Sequence, residues 1–370
     1  MADKVTACRG GLLGLAAGDA MGRAVDGKTR EEICADYGPY GLLGYDLANG
    51  NADVTSYTQI AAFVSNGLLL GVSRGRSDYI PYITLSLREW ARNQNFHRDP
   101  EKSLCWVAKP KCLRLHNNRD ARMLDALRFD PLGTPSSPIN QNTGAGALPA
   151  AAAVGLFYDP RRMDRNQLAN LAAQTVALTH GSPETFLSGA VLALSVADLV
   201  QTPEKPMAEI FSSAMQTVCT LYKEAFPHPT EMLEARILQA LELAQNSAFL
   251  SRDGIERLSC MTGPSCLAGA MYACLTSHED FDAALITAVN HSGLSAAVGA
   301  LAGLMMGIRL GADALPDFYL ESLEALPVLR ELADDLALGG VTTGLFDDDW
   351  DHKYMQGLPR GWQQIWDVNL

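Results

Sequence analysis

Gly10-Gly11-Leu12-Leu13-Gly14-Leu15-Ala16-Ala17-Gly18-Asp19-Ala20-Met21-Gly22 reads as one wall of a tightly packed helix. Its glycines at 11, 14, 18 and 22 recur at three- and four-residue spacing, the interval that stacks positions on one helical face. A second stretch near the other end of the chain repeats the device with Gly299, Gly303 and Gly307. Glycine inside a helix costs about 1 kcal/mol relative to alanine. Two such rows need compensation, and close backbone approach in the centre of a helical bundle supplies it. Tight packing explains the glycines fully, so they receive no chemical role.

Outward from these two stretches the periodicity stays helical. Apolar residues recur at three- and four-residue spacing over 4–18, 57–72, 78–94, 144–157, 164–180, 184–200, 206–225, 229–248, 263–275, 280–290 and 295–310. Alternating β-branched runs long enough for strands are almost absent. Ser77-Asp78 precedes one helical run, Pro227 to Pro229 separates two others, and Pro316 opens a further helix after Gly311. The expectation is an all-α bundle of a dozen or more helices forming one domain over 1–370, without an internal repeat.

Two segments break the pattern. Residues 95–142 are polar, basic at Lys109, Lys111, Arg114, Arg119 and Arg122, and carry Pro110, Pro131, Pro135 and Pro138. They read as a long excursion with one short helix near 118–128, of the size that serves as a functional lid or stays disordered. The tail from Gly339 combines Asp347-Asp348-Asp349-Trp350-Asp351 with Trp362 and Trp366. It is too aromatic for a disordered acidic tail and is expected to pack back on the bundle.

The 370 residues are 48% hydrophobic and 19% charged, enough apolar content for a large buried core. A net charge of −13 repels nucleic acid and anionic membrane, so neither is an expected partner. The longest apolar run, 296–308, is short of the ~20 residues that span a bilayer. No secretory signal is legible: Asp3, Lys4 and Arg9 interrupt the N-terminus. Eight cysteines without a C-x-x-C pair read as small core residues in a reducing compartment, and the expected location is cytoplasmic.

Four further landmarks carry the chemistry-bearing residues. They are Thr55-Ser56-Tyr57-Thr58-Gln59, Asn140-Gln141-Asn142-Thr143-Gly144-Ala145-Gly146-Ala147-Leu148, Ala177-Leu178-Thr179-His180-Gly181-Ser182-Pro183, and Asn290-His291-Ser292-Gly293-Leu294-Ser295-Ala296-Ala297-Val298-Gly299. Together with 10–22, in this order, they resemble the signatures of the ADP-ribosylglycohydrolase family, relatives of the enzyme that reactivates dinitrogenase reductase. The family's second landmark is Thr-Asp-Asp-Thr-Gln, and its last is close to Asn-His-Asp-Gly-Asp-Ser-Asp-Ser-Thr-Gly. The resemblance implies an all-α fold and a centre of two magnesium ions held by those aspartates and hydroxyls.

Here every one of those aspartates is replaced. Ser56 and Tyr57 stand at the first pair, and Ser292, Leu294, Ala296, Ala297 and Val298 take the places of the second set. Magnesium wants oxygen ligands in near-octahedral array, and two such ions need anionic ligands to offset their repulsion. The hydroxyls that remain, Thr55, Ser56, Ser292 and Ser295, are neutral. No metal residues are assigned and no cofactor is expected.

Binding is easier to keep than catalysis. The glycines of 140–146, Gly144 and Gly146, let backbone amides face phosphate oxygens ahead of a helix N-terminus; an ordinary turn into a helix is the equal alternative. The resemblance assigns Asn140, Asn142, Gly144, Gly146 and His180 to a cradle for the diphosphate or distal ribose of ADP-ribose. His180 also reads as a core histidine bonding backbone. Tyr57 either fills the vacated cavity or stacks on a ribose or base. The expected partner is an ADP-ribose-like small molecule or an ADP-ribosylated protein, bound by a chain leaning away from catalysis. Two rivals remain open: a hydrolase working through Asp19 and Asp26, and a structural or partner-binding protein resembling the family's lens crystallin relatives. In the bland reading, Asp19 caps a helix or bonds backbone amides, and Asp53 is a solvated loop residue.

Overall fold

The computed structural model describes residues 4–47, 50–95, 102–114, 120–246, 250–340 and 348–355. Among them there is no β-strand and there are seventeen α-helices. In chain order these are α1 (Lys4–Arg23), α2 (Arg30–Tyr37), α3 (Ser56–Ser73), α4 (Ile80–Asn95), α5 (Ala121–Ala126) and α6 (Leu148–Phe157). They continue with α7 (Arg165–Ala177), α8 (Pro183–Gln201), α9 (Met207–Tyr222), α10 (Pro227–Gln245), α11 (Ser251–Glu256) and α12 (Gly263–Thr276). The series closes with α13 (Phe281–Val289), α14 (Ser295–Leu310), α15 (Asp317–Glu321), α16 (Leu326–Leu338) and α17 (Asp348–Tyr354).

The two glycine rows meet each other, with Gly10 in place of Gly11, which faces the side chains of Ile308 and Leu156 instead. α1 and α14 run antiparallel at the centre of the bundle. A methyl built on Gly10, Gly14 or Gly18 would lie 2.0, 2.1 or 1.9 Å from the carbonyl oxygen of Gly307, Gly303 or Gly299. No side chain separates the two backbones, so the helices touch along three successive turns. Around this pair α3, α4 and α6 form one flank, α7 to α10 a second, and α12 and α13 a third. α8 is by length and composition able to cross a membrane, but most of it is buried inside the bundle.

Periodicity missed the short helices α2 and α11 and also the thirteen-residue α16. α2 starts at a capping box in which the Thr29 side chain accepts from Glu32 N and the Glu32 side chain accepts from Thr29 N. The described part of the 95–142 excursion is packed rather than draped over the surface. Val107, Ala108, Cys112, Leu113, Met123, Leu124 and Leu127 all enter the core. In the tail, Trp350 Nε1 donates to Ser73 Oγ at 2.9 Å, and Lys353 Nζ lies 2.7 Å from Glu331 and 3.2 Å from Asp335. α17 is therefore docked on the bundle, while Arg119, Asp347, Trp362 and Trp366 lie outside the described residues.

Candidate functional site

Several helices start close to one another, and the landmark residues sit at those starts. Thr55 is the N-cap of α3 and accepts from Tyr57 N at 3.3 Å. Asp19, fully buried on α1, is its foundation. Asp19 Oδ1 accepts from Thr55 Oγ1 at 2.6 Å, and Oδ2 accepts from Thr55 N (2.8 Å), Thr58 N (3.1 Å) and Thr58 Oγ1 (2.6 Å). Burial pushes this carboxyl up to about 6, against the pull of Thr55 and Thr58. Asp19 thus joins α1 to the positive end of α3.

Asp26 does the corresponding job for α14, its Oδ1 accepting from Ala296 N at 3.0 Å. Ser292 Oγ accepts from Arg30 N at 2.9 Å, while its own N–H donates to Glu256 Oε2 at 3.0 Å. Ser295 Oγ faces His291 O at 3.5 Å, and Leu294 N donates to Cys260 O at 2.9 Å. Asn290 grips the backbone of the 41–42 turn: its Oδ1 accepts from Leu42 N at 2.7 Å and its Nδ2 donates to Leu42 O at 2.9 Å. Asp53 stands apart, 3.8 Å from Arg23.

Tyr57 sits between the halves, 7% exposed. Its hydroxyl is pushed well above the usual range by burial and then by Asp26, Cys266, Asp19 and Asp120. That set of neighbours links α3 to the first turn of α12 and to the residue before α5. Ser56 is also buried.

The glycine turn ahead of α6 is built by two asparagines. Asn140 Oδ1 accepts from Asn142 N (3.0 Å) and Gly181 N (2.9 Å), and its Nδ2 donates to Thr179 O at 2.9 Å. Asn142 Oδ1 accepts from Gly144 N at 3.0 Å. Gly263 N at the start of α12 donates to Thr143 O at 2.8 Å, and a methyl on Gly263 would meet Thr185 Cγ2 of α8 at 3.0 Å. The N-terminal ends of α6, α8 and α12 are thereby in register around one turn.

His180 is fully buried against that turn. Its Nδ1 is 2.9 Å from Thr179 Oγ1, and its Nε2 is 3.4 Å from Asp120 Oδ2 without the alignment of a hydrogen bond. A bare Nε2 lone pair facing a carboxylate would be repulsive, so Nε2 carries the proton and Nδ1 accepts from the threonine. Burial raises the Asp120 carboxyl, but His180, then Asn142 and the Met123 amide, hold it below the usual carboxylate range.

Thr55 and Tyr57 thus gather around Asp19 in one cluster, and Asn140, Asn142, Gly144, Gly146 and His180 form a second. The side chains of Asn140, Ser292 and Ser295 are engaged with protein atoms. Sequence reasoning missed Asp120, Cys266 and Glu256. Asp120 had a legible signal, an aspartate directly before the helix-forming Ala121-Arg122-Met123-Leu124. Among the described residues, no three of His, Cys, Asp and Glu converge as a metal-ligand group.

The chain is similar to an uncharacterized protein of Archaeoglobus fulgidus, 24% identical over 334 residues that cover 88% of this chain and 94% of the relative. A solved structure described as an ADP-ribosylglycohydrolase-related protein complex superposes with a TM-score of 0.58 at 21% identity. The match covers 92% of this chain and all of that one, a likeness of fold. The family model for ADP-ribosylglycohydrolase matches residues 2–344. With that span inside it, the chain belongs to the ADP-ribosylglycohydrolase family.

Proposed function

We propose that this protein binds an ADP-ribosyl group, as the free nucleotide or on a modified protein, without a dinuclear magnesium centre and without hydrolysing it. The observation that carries the reading is the division of labour in the site. On the side that resembles the family's metal site, the donors are engaged elsewhere: Thr55 with Asp19 and Tyr57 N, Ser292 with Arg30 N, Ser295 with the His291 carbonyl. Leu294 and the buried Ala296 to Val298 add no oxygen ligand. That donor set does not fit two divalent ions, which require anionic oxygens.

The other side keeps a glycine turn at a helix N-terminus and a buried histidine whose Nε2 has no aligned partner. Such a place suits a ligand rich in acceptor oxygens. Asp19 and Asp26 are poor candidates for a hydrolytic pair. The first carries four donors and the second caps α14, so neither is free to carry protons to and from a substrate. Tyr57 would supply the ring that stacks on the ribose or base.

Titration calorimetry with ADP-ribose, with and without magnesium, tests this reading. Saturable binding that ignores magnesium is the expected result. Binding that requires magnesium would restore the metallohydrolase reading, and absence of binding would favour a structural role for the fold.

A further inference from the structure

A carboxylate already lies where the glycine turn would receive a ligand. A methyl built on Gly144 would be 3.4 Å from Asp120 Oδ2 and 3.6 Å from His180 Nε2; on Gly146 the distances are 3.3 and 3.5 Å. Asp120 Oδ2 therefore lies beside the face of the turn that the two glycines leave without side chains. It takes a hydrogen bond from Asn142 Nδ2 at 3.1 Å and stands 3.4 Å from the buried His180 Nε2. The other oxygen, Oδ1, accepts from Arg122 N at 2.9 Å and Met123 N at 3.3 Å as the N-cap of α5. The two oxygens have separate tasks: one fixes the carboxylate to its own helix, and the other reaches across to the turn.

The surroundings of Oδ2 are those of an anion site. They comprise an amide N–H₂, an imidazole N–H without another partner, and a glycine turn opening a ten-residue helix. A phosphate entering there would meet the same donors, and it would also meet the negative charge of Asp120. Both cannot hold the site at once.

We infer that Asp120 is an affinity- and specificity-determining residue, an internal anion that competes with the ligand's phosphate for the glycine turn and His180. This rests on the ligand reading proposed above and adds a consequence to it. The side chain is about one-fifth exposed, so the carboxylate borders solvent where a ligand's phosphate would arrive. The wild-type protein then binds phosphate-bearing ligands more weakly than its donors alone would allow. Ligands without phosphate at this end escape the competition.

Two substitutions keep the cap and remove the competitor. Asp120→Asn retains an N-cap residue without charge, and Asp120→Ser retains a capping hydroxyl that does not reach the turn. Titration calorimetry on the full chain would compare ADP-ribose with adenosine, which has no phosphate. The expected result is at least ~10-fold tighter ADP-ribose binding by both variants, the scale of removing one like charge at contact distance, with no gain for adenosine. Unchanged or weaker ADP-ribose binding by the variants, beside a wild type that binds, would overturn the inference and leave the ligand reading standing. An equal gain for adenosine would also overturn it, because charge would not be the cause. Failure of all three proteins to bind ADP-ribose would remove the ligand reading and this inference with it.

Discussion

Replacing Gly14 with alanine places a methyl carbon 2.1 Å from Gly303 O and 2.8 Å from Gly303 C. An unstrained contact of this kind is about 3.4 Å or longer, so α1 and α14 must part by roughly 1 Å at that turn. The obstacle is a main-chain carbonyl, and no rotamer change relieves it. Overpacking of this kind costs about 1–3 kcal/mol where side chains can adjust and more where they cannot. Separation also loosens the adjoining contacts at Gly10 and Gly18 and forfeits about a quarter to a half of the local dispersion energy. Against this stands about 1 kcal/mol gained from the better helix former. The net expectation is a loss of about 2–3 kcal/mol, read as a lower urea midpoint with an unchanged m-value.

Gly11→Ala is the internal control. Its methyl would meet Ile308 Cγ1 at 2.9 Å and a Leu156 methyl at 3.3 Å, side-chain atoms rather than main chain. Its effect is expected within about 1 kcal/mol of neutral, the propensity gain offsetting the crowding. Gly14→Ala combined with Gly303→Ala should cost less than the sum of the two, since one separation accommodates both methyls. Wild-type or higher stability for Gly14→Ala would refute the claim that the helices are held at backbone contact.

Two other perturbations follow from the site. Burial lowers the His291 imidazole to about 4 although Glu256 opposes it; the native form is neutral, and the unfolded chain binds more protons between pH 4 and 6.5. Its stability is complete above pH 6.5 and is lost as pH falls toward 4, on the order of 3 kcal/mol for a shift from 6.5 to about 4 at ~1.36 kcal/mol per unit. Asp19, raised from 3.8 to about 6, acts with the opposite sign over pH 4–6, so the informative quantity is the stability difference between wild type and His291→Asn. That difference should shift steadily against the wild type as pH falls from 6.5 to 4 in urea titrations, and a pH-independent difference would contradict the assignment. Asn290→Ala leaves Leu42 N and Leu42 O without their buried partners, a loss of about 2–4 kcal/mol. Faster hydrogen exchange at the 41–42 turn should accompany it.

The fold was legible because its two informative features are local. Helical periodicity marks the long amphipathic and buried helices, and glycine rows at matching intervals announce a backbone contact before any partner is known. Short helices such as α2 and α11 escaped because six to eight residues make too few turns to display a period. The Thr29-to-Glu32 capping box was nevertheless written in the chain. The excursion over 95–142 misled because its polar residues are scattered between apolar anchors such as Leu113 and Met123, whose burial depends on contacts distant in sequence. Position was easier to read than role at the site. Nothing local reveals that the Ser292 hydroxyl accepts from Arg30 N or that Asn140 ties Thr179 to Gly181. Asp120 is legible as a helix cap, but its reach to Asn142 and His180, 22 and 60 residues further along, is not.

The carboxylates that remain have a common physical position, and it explains how the site stands with Ser56, Tyr57, Ser292 and Leu294 where the resemblance would place metal-binding carboxylates. Convergent helix N-termini concentrate positive partial charge and unsatisfied N–H groups. Left alone they would repel one another and leave buried donors unmade. Asp19 answers α3 through Thr55 and Thr58, Asp26 answers α14 through Ala296 N, and Asp120 lies against the glycine turn ahead of α6. Each supplies negative charge at one helix start. The first two are committed by backbone bonds that the fold needs, so removing either leaves buried amide donors unpaired and should be read first as a stability defect. Asp120 differs because its bonds to the backbone all belong to its own helix, and only its second oxygen bears on the site. It is the one carboxylate of the three whose charge can be removed while the architecture around the site stays intact.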